Sequence, residues 1–329
     1  MNAVTSSTTT SKRGPLKLAP HTLINAGDVA TALTLALLAP LSWLLPERIW
    51  HPVCRALGRL HIAIRGSKAS DIAGHEALRL LALDPFQLER SFMATVYEET
   101  LHTLRGQLPA VWKPKIVVRG REHLDTALRS GRGAILWVCP CSFAELILKR
   151  GLHGEGINLT NLRSKSHPYS GTSFGTHLLN PIRTRVEDRY LEGTVVLYPK
   201  GGAVALRELQ MKLRKNKVVS VFAIAASDRP FEVPCLGGLL SLALGAPTLA
   251  GVSRAPLLPT CVLPSSSGGF EILIEAPIPT GNARAQERSH EFLARQYARS
   301  VETWVARRPD VWRGWFSRSL WRPSDRPSV

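Results

Sequence analysis

The sequence KIVVR at residues 115–119 and the sequence AILWV at residues 134–138 are two short apolar runs rich in Val and Ile. Residues 122–129 between them have the spacing of a helix, and residues 143–150 repeat that spacing after the second run. Strands that alternate with helices predict an α/β domain in which helices flank a central mixed sheet.

The same alternation continues toward the carboxyl end of the chain. Further apolar runs predict strands at residues 193–197, 218–224, 257–262 and 270–274. Helical spacing predicts helices at residues 70–106, 203–214 and 239–252, and a long basic helix from residue 283 that ends at residues 307–309. We therefore expect one α/β domain over residues 67–320, followed by a basic tail at residues 321–329.

The amino-terminal part of the chain has a different character. Residues 1–20 are rich in Ser and Thr, and we expect them to be a disordered tail. Residues 29–46 are eighteen consecutive uncharged residues, near the lower limit for a helix that crosses a bilayer. Trp43 and Trp50 flank the end of this run, as aromatic side chains do at a membrane interface. We expect residues 21–66 to be a membrane-associated helical region that crosses the bilayer or lies in it, with a buried core helix as the alternative.

Composition limits the partners of this 329-residue chain. Its 42 Lys and Arg residues against 25 Asp and Glu residues give a net charge of +17. Such a charge favours anions: nucleic acid, anionic lipid headgroups or an acidic carrier protein. The basic residues are spread along the whole chain, and the Cys and His residues do not have the spacing of a zinc finger. A nucleic-acid partner is therefore not expected. Five scattered cysteines argue against a disulfide framework.

The turn after the second predicted strand, CPCSFAEL at residues 139–146, is the first candidate for a functional site. In an open α/β sheet, ligands bind beyond the carboxyl ends of the strands. The turn brings Cys139, Cys141, Ser142 and Glu145 to the start of a helix, where free backbone amides favour an anion or a thiolate. The alternative is a structural turn with two buried cysteines.

The strand leader GRGAILWV at residues 131–138 is followed by Glu145. It is similar to the strand that carries the His-x4-Asp/Glu motif of the lipid A biosynthesis lauroyl/myristoyl acyltransferases, and the chain resembles that family along most of its length. The resemblance continues in order through NPIRTRVEDRYL (180–191), AVALRELQMKLRKNKVVSVF (203–222), ASDRPFEVPCLGG (226–238), LALGAPTLAGVSRAPLLPTCVL (242–263) and QYARSVETWVARRPDVWRGWFSR (296–318). It covers about residues 25–320, and its specificity lies in the order and spacing of these blocks.

The resemblance implies a glycerolipid-acyltransferase-like fold at the cytoplasmic face of the bacterial inner membrane. It implies transfer of an acyl group from an acyl-carrier-protein or acyl-CoA thioester to a hydroxyl or amine acceptor, an anionic lipid or a small molecule. It implies roles for Glu145 and Asp228 as acidic site residues, and for Arg183 or Arg185 in holding the anionic part of a substrate. Neither a metal nor another cofactor is expected.

The sequence departs from the family at the residue that does the chemistry. Five residues before Glu145, where the family has its histidine general base, this chain has Pro140, and no other histidine precedes an acidic residue at that spacing. Cys139 or Cys141 is therefore a candidate nucleophile that would take the acyl group from the donor. Only folding could bring a histidine near, and three candidates are His153, His167 and His177.

Two other functions remain open at this stage. The first is a catalytically inactive relative that keeps the fold and binds lipid, acyl carrier or a partner enzyme, and the loss of the histidine favours it. The second is a basic membrane- or nucleic-acid-associated protein unrelated to acyl transfer. It requires that all five blocks match by coincidence.

Overall fold

The computed structural model describes residues 22–164, 167–198, 201–224, 230–279 and 286–323. The predicted tail at residues 1–20 lies outside them. The helices are α1 Ala26–Leu44, α2 Glu47–Arg65, α3 Glu76–Leu80, α4 Pro85–Arg105, α5 Arg121–Arg129, α6 Ala144–Gly154, α7 Asn180–Asp188, α8 Gly202–Arg214, α9 Gly245–Ser253 and α10 Gln286–Arg307. The strands are β1 Ile116–Arg119, β2 Ala134–Val138, β3 Leu159–Ser164, β4 Gly193–Leu197, β5 Val218–Phe222, β6 Phe231–Cys235, β7 Gly238–Leu242, β8 Leu257–Pro264, β9 Phe270–Ile274 and β10 Trp321–Pro323.

The predicted α/β fold with a central mixed sheet is confirmed. Seven strands pair in the order β1-β9-β8-β2-β5-β3-β4. β8, β2, β5, β3 and β4 are parallel to one another, and β9 pairs antiparallel with β8. All five residues of β2 are buried, as a central strand with helices on both faces requires. The uninterrupted apolar run AILWV thus predicted this strand with the bounds that the structure shows, and its burial on both faces is explained by its central place.

One predicted helix is partly wrong. Residues 239–252 contain β7 first and only then α9. β7 pairs antiparallel with β6 on one side and with β10 on the other, in a separate three-stranded sheet. The hairpin between β6 and β7 turns at Leu236 and Gly237, both with positive φ, which is the backbone of a type I′ turn. Leucine is not a residue that such turns favour, so no local pattern predicted the hairpin.

The amino-terminal helices α1 and α2 pack against α4. α1 begins with a capping box, in which the Asn25 side chain accepts from the Asp28 backbone N–H and the Asp28 side chain accepts from Asn25. Within the described residues, α1 is the one helix long and apolar enough to cross a membrane, a test that buried core helices and signal sequences also pass. Leu35 and Leu38 are buried, whereas Val29, Leu33, Leu37 and Leu44 are exposed.

The carboxyl-terminal part of the chain closes over the central sheet. α10 ends at Arg307, as predicted, and the aromatic stretch that follows forms two short 3-10 turns, Pro309–Val311 and Arg313–Phe316. Trp321–Pro323, the start of the predicted basic tail, forms β10. Ser142 N–H donates to Val311 O, and Arg313 N–H donates to Pro140 O, so this segment fixes the turn after β2.

Candidate active site

The candidate site lies where β2 and β3 end, at one edge of the parallel part of the sheet. Glu145 stands in the first turn of α6, directly after β2, and His167 follows β3 by three residues. The carboxyl ends of parallel strands meet at the same edge, so the topology brings these two segments together. α6 packs closely on the sheet at Gly151, where a Cβ atom would lie 2.3 Å from Ile272 Cδ1. Glycine at this position allows that close approach.

A buried ion-pair network joins the helices beside this edge; its members are Glu99, Glu145, Lys149, Arg183, Glu187 and Arg313. Lys149 Nζ donates to Glu145 Oε2 at 3.0 Å and to Glu187 Oε2 at 2.7 Å. Arg183 Nε donates to Glu187 Oε1 at 2.7 Å, and its Nη2 donates to Glu99 Oε1 at 2.8 Å. Arg313 Nη2 reaches the other oxygen of Glu99 at 2.6 Å. Three carboxylates thus face three cations, and α4, α6 and α7 are held to one another.

The ionised state of the buried ion-pair network follows from its geometry. Burial favours the neutral form of Glu187, but Lys149, the His167 hydrogen bond and Arg183 outweigh it, so the pKa of Glu187 lies well below its usual value. Burial likewise opposes ionisation of Glu99, and Arg313 and Arg183 lower its pKa in spite of that. Burial also disfavours the charged form of Lys149, yet Glu145 and Glu187 raise its pKa. All three side chains are therefore charged at neutral pH.

His167 contacts this network at its solvent side. Its Nε2 lies 3.3 Å from Glu187 Oε2, and one ring nitrogen lies within 4.8 Å of a Glu145 carboxylate oxygen. The side chains of His167 and Glu145 are 17% and 15% exposed, whereas those of Glu187 and Lys149 are wholly buried. With Nε2–H donating to Glu187, the other ring nitrogen, Nδ1, is the one that can accept a proton. The fold thus supplies, from the segment after β3, an imidazole paired with a carboxylate.

The other two histidines that folding could have brought near lie elsewhere. The ring of His153, in the last turn of α6, contacts the ring of Tyr190. His177 is exposed, and its Nδ1 lies 2.8 Å from the backbone carbonyl of Ser173. Of the three histidines considered, His167 is the one beside Glu145.

Glu145, His167 and Glu187 form a donor set that could hold a divalent cation, since one atom of each lies within 4.8 Å of the others. Lys149 Nζ, however, already bridges the two carboxylates. Its positive charge neutralises them and would repel a metal ion at that point. We therefore assign no metal to these three residues.

The residues predicted from the sequence fall into four places. Glu145 and Arg183 belong to the buried ion-pair network, and Arg185, two residues along α7, is exposed. Cys139 and Cys141 are buried in a different group, with their sulfurs 3.5 Å apart. Asp228 lies outside the described residues. The predicted roles of these residues in catalysis and substrate binding stay predictions.

Sequence reasoning did not single out Glu99, Lys149 or Glu187. Each occupies a helix position that is wholly or almost wholly buried, where a charged residue is rare unless it is paired. Glu145 and Lys149 are four residues apart on one helix, which is the spacing of an ion pair. This spacing was the one local pattern from which the pairing of Lys149 could have been predicted. The partners of that pair on other helices are set by tertiary packing alone.

The turn itself has an unusual backbone. Phe143, the residue before α6, has a φ of 69°, a left-handed conformation that a bulky side chain rarely adopts. Its backbone N–H donates to Glu99, and its ring is buried against His102 and Phe270. Phe143 thus joins the turn after β2 to the buried ion-pair network.

No protein-family model matches the chain, and no curated protein is significantly similar to it.

Proposed function

We propose that this protein is an acyltransferase-like protein of the inner membrane of a bacterium, acting at the cytoplasmic face, with His167 as its general base. It transfers an acyl group from an acyl-carrier-protein or acyl-CoA thioester to a hydroxyl or amine acceptor, an anionic lipid or a small molecule. The fold is glycerolipid-acyltransferase-like, in keeping with the resemblance to lipid A acyltransferases. The observation that carries the proposal is the His167–Glu187 pair beside Glu145, at the edge of the sheet where α/β proteins bind ligands.

The reaction needs a base at the acceptor. Nδ1 of His167 removes the proton from the acceptor hydroxyl or amine, whose oxygen or nitrogen attacks the thioester carbonyl carbon. The carbon–sulfur bond then breaks, and the leaving thiolate takes the proton back from the imidazolium. Glu187 stabilises the imidazolium through the Nε2 hydrogen bond and fixes the orientation of the ring. The histidine from the segment after β3 thus replaces the one missing at Pro140.

We assign different roles to the buried Arg183 and to the more exposed Arg185 and Arg313. Arg183 uses its Nε and one Nη on two glutamates, so we assign it to positioning Glu187 and not to the substrate. Arg185 is exposed on the same helix, and Arg313 is 42% exposed, so these two can meet an anionic headgroup or the phosphate of a donor. The net charge of +17 suits both an acidic carrier protein and an anionic lipid surface.

A covalent role for Cys139 or Cys141 stays a prediction. A nucleophile must meet the thioester carbonyl, and both sulfurs are buried, with sulfur atoms as the hydrogen-bond partners of Cys141. The pKa of Cys139 is raised, mainly by burial, whereas hydrogen bonding with Cys139 and then with Cys261 lowers the pKa of Cys141 to about 5. Unchanged acyl transfer in a Cys139→Ser or a Cys141→Ser variant would exclude that cysteine as the nucleophile.

Attachment to the membrane is proposed through α1 and α2. The exposed face of α1 carries Val29, Leu33, Leu37 and Leu44, while its other face packs against α4. α2 exposes Leu60 and Ile64 next to a row of basic residues, Arg48, Arg55 and Arg59. An apolar surface with cations beside it fits the interface of an anionic bilayer.

A catalytically inactive relative that binds lipid, acyl carrier or a partner protein is the second candidate. Its support is the buried ion-pair network, in which Glu145 and Arg183 already have partners inside the protein. Such a network can hold α4, α6 and α7 together without taking part in a reaction. The two candidates make different predictions for turnover.

The experiment that separates them uses the purified full chain. It is incubated with acyl-carrier-protein or acyl-CoA thioesters and an anionic lipid extract, and the acylated product and the released carrier thiol are measured. Release that depends on the acceptor supports acyl transfer, and saturable binding without turnover supports the inactive relative. If the protein shows neither thiol release nor saturable binding, both candidate functions are contradicted. A gain of activity in Pro140→His would support the alignment of the turn with the family motif.

A further inference from the structure

Three cysteine sulfurs meet in the core next to Tyr297 of α10. Cys139 follows the last residue of β2, and its N–H donates to Thr260 O on β8. Val138 is in register with Thr260, so Cys139 and Cys261 are neighbours on adjacent strands. After Pro140 the chain folds back, and Cys141 N–H donates to Cys139 O. We call Cys139, Cys141 and Cys261 the thiol cluster.

The spacing of the thiol cluster is that of metal ligands. The Cys141 sulfur lies 3.5 Å from that of Cys139 and 3.7 Å from that of Cys261, and all three sulfurs are within 4.8 Å of one another. Sulfurs bound at about 2.3 Å around a tetrahedral zinc ion lie roughly 3.8 Å apart. The thiol cluster therefore needs little rearrangement to close on one ion.

A second observation points to a ligand at the same place. Tyr297 on α10 is wholly buried, and its ring stacks on Trp137 at 4.1 Å between centroids. Its hydroxyl faces the thiol of Cys139 and has no hydrogen-bond partner of normal geometry among the described residues. A buried hydroxyl without a partner costs free energy, which a bound ion or a thiolate would recover.

We propose that the thiol cluster is a binding site for one soft, thiophilic cation, Zn²⁺ or Cu⁺, with the Tyr297 hydroxyl beside it. Thiolates select these ions over Mg²⁺ or Ca²⁺. Each bound cysteine releases its proton to solvent, and no electron is transferred. Zn²⁺ takes a fourth ligand and would use the tyrosine oxygen, whereas Cu⁺ is satisfied by three sulfurs. A sulfur held by the ion cannot also carry an acyl group, so the site is structural.

The sequence predicted no metal because the three residues do not have a recognisable metal-ligand spacing. Cys139 and Cys141 flank a proline, and Cys261 lies 120 residues further along the chain. The proposal is independent of acyl transfer, since metal content is measured without any substrate.

The test is metal retention after refolding, because the three sulfurs are too deeply buried for an ion to reach them in the folded protein. The chain is refolded with Zn²⁺ alone, with Co²⁺ as a spectroscopic probe, or with Cu⁺ against a competing chelator. We expect one equivalent of Zn²⁺ or Cu⁺ and a sulfur-to-cobalt charge-transfer absorption. Substituting any member of the thiol cluster by Ser should weaken binding by at least about tenfold. Cys54→Ser and Cys235→Ser, at the other two buried cysteines, are the matched controls and should retain the ion.

Two further measurements keep the proposal open to refutation if a variant fails to fold. In the unmodified chain, iodoacetamide applied during refolding should spare the thiol cluster when the ion is present and should still modify Cys54 and Cys235. Tyr297→Phe keeps the ring on Trp137; a loss of Zn²⁺ affinity with Cu⁺ affinity unchanged supports the tyrosine ligand. Metal content no higher than in a variant lacking all three cysteines, or oxidation to a disulfide with no ion retained, would contradict the site.

Discussion

His167 and Glu187, twenty residues apart in sequence, face each other with 3.3 Å between Nε2 and Oε2. His167 lies in the segment that follows β3, and Glu187 lies on α7, so the pair joins the edge of the sheet to a helix. The same carboxylate binds Lys149 and Arg183. Glu187 is thus the point at which the candidate base is tied to the buried ion-pair network.

Glu187→Gln should destabilise the protein strongly. The substitution removes one of the two carboxylates that pair with each of the buried cations Lys149 and Arg183. Breaking a buried ion pair in this way costs about 3–5 kcal/mol. Urea unfolding of the variant and of the unmodified chain measures the difference. Glu192→Gln is the control, because Glu192 pairs with Lys217 near the surface, with about a third of each side chain exposed. We expect the control to cost less than about 1 kcal/mol. Equal effects of the two substitutions would show that Glu187 is not a structural centre.

His102 should make the protein less stable as the pH falls below 6.5. Burial is the main reason that the pKa of His102 falls from 6.5 to about 3; Arg105 lowers it further, and Glu99 opposes the fall. In the folded state His102 Nδ1 accepts a hydrogen bond from Trp112 Nε1. Between pH 6.5 and 3 the unfolded chain binds a proton that the folded chain does not, so the free energy of unfolding decreases by up to about 1.4 kcal/mol per pH unit.

The measurement is urea unfolding between pH 5 and pH 7. His102→Gln, which keeps an acceptor for Trp112, should show a shallower dependence of the free energy of unfolding on pH. His177→Gln, at an exposed position, should keep the slope of the unmodified chain. An unchanged slope in His102→Gln would mean that the buried imidazole is not the source of the pH dependence.

The exposed face of α1 should control binding to lipid. Replacing both Leu33 and Leu37 by Glu removes apolar surface and adds negative charge, so binding to anionic vesicles should fall at least about tenfold. Co-flotation with phosphatidylglycerol-containing vesicles measures it. Leu80→Glu is the control, since Leu80 is equally exposed but lies on α3. If the α1 variant floats as well as the control, α1 does not contact the membrane.

The elements that the sequence predicted best are those with an unambiguous apolar pattern. The strand at residues 134–138 has its predicted bounds because five consecutive apolar residues can only be buried on both faces. β3 was missed because it carries polar residues inside the sheet; Thr160 and Asn161 are buried, and Asn161 Oδ1 accepts from Ser220 Oγ on β5. The partner that makes Asn161 acceptable there is 59 residues away and invisible to local patterns.

The candidate site shows the same limit. Glu145 could be found because it follows the predicted strand at residues 134–138 and resembles a family position, whereas His167 has no local motif. Its proximity to Glu145 depends on the parallel pairing of β2, β5 and β3, which aligns the carboxyl ends of the strands. The sequence left three histidines as candidates for the general base, and only the tertiary structure shows which of them lies beside Glu145.

The rate of acyl transfer in His167→Ala, set against that in His177→Ala, tests the central claim most directly. Both variants are assayed with an acyl-carrier-protein or acyl-CoA thioester and the acceptor that the unmodified chain uses. Loss of a general base lowers the rate by about a hundredfold or more, so His167→Ala should fall by at least that factor and His177→Ala should stay within about twofold of the unmodified protein. Full acceptor-dependent transfer by His167→Ala would contradict the account.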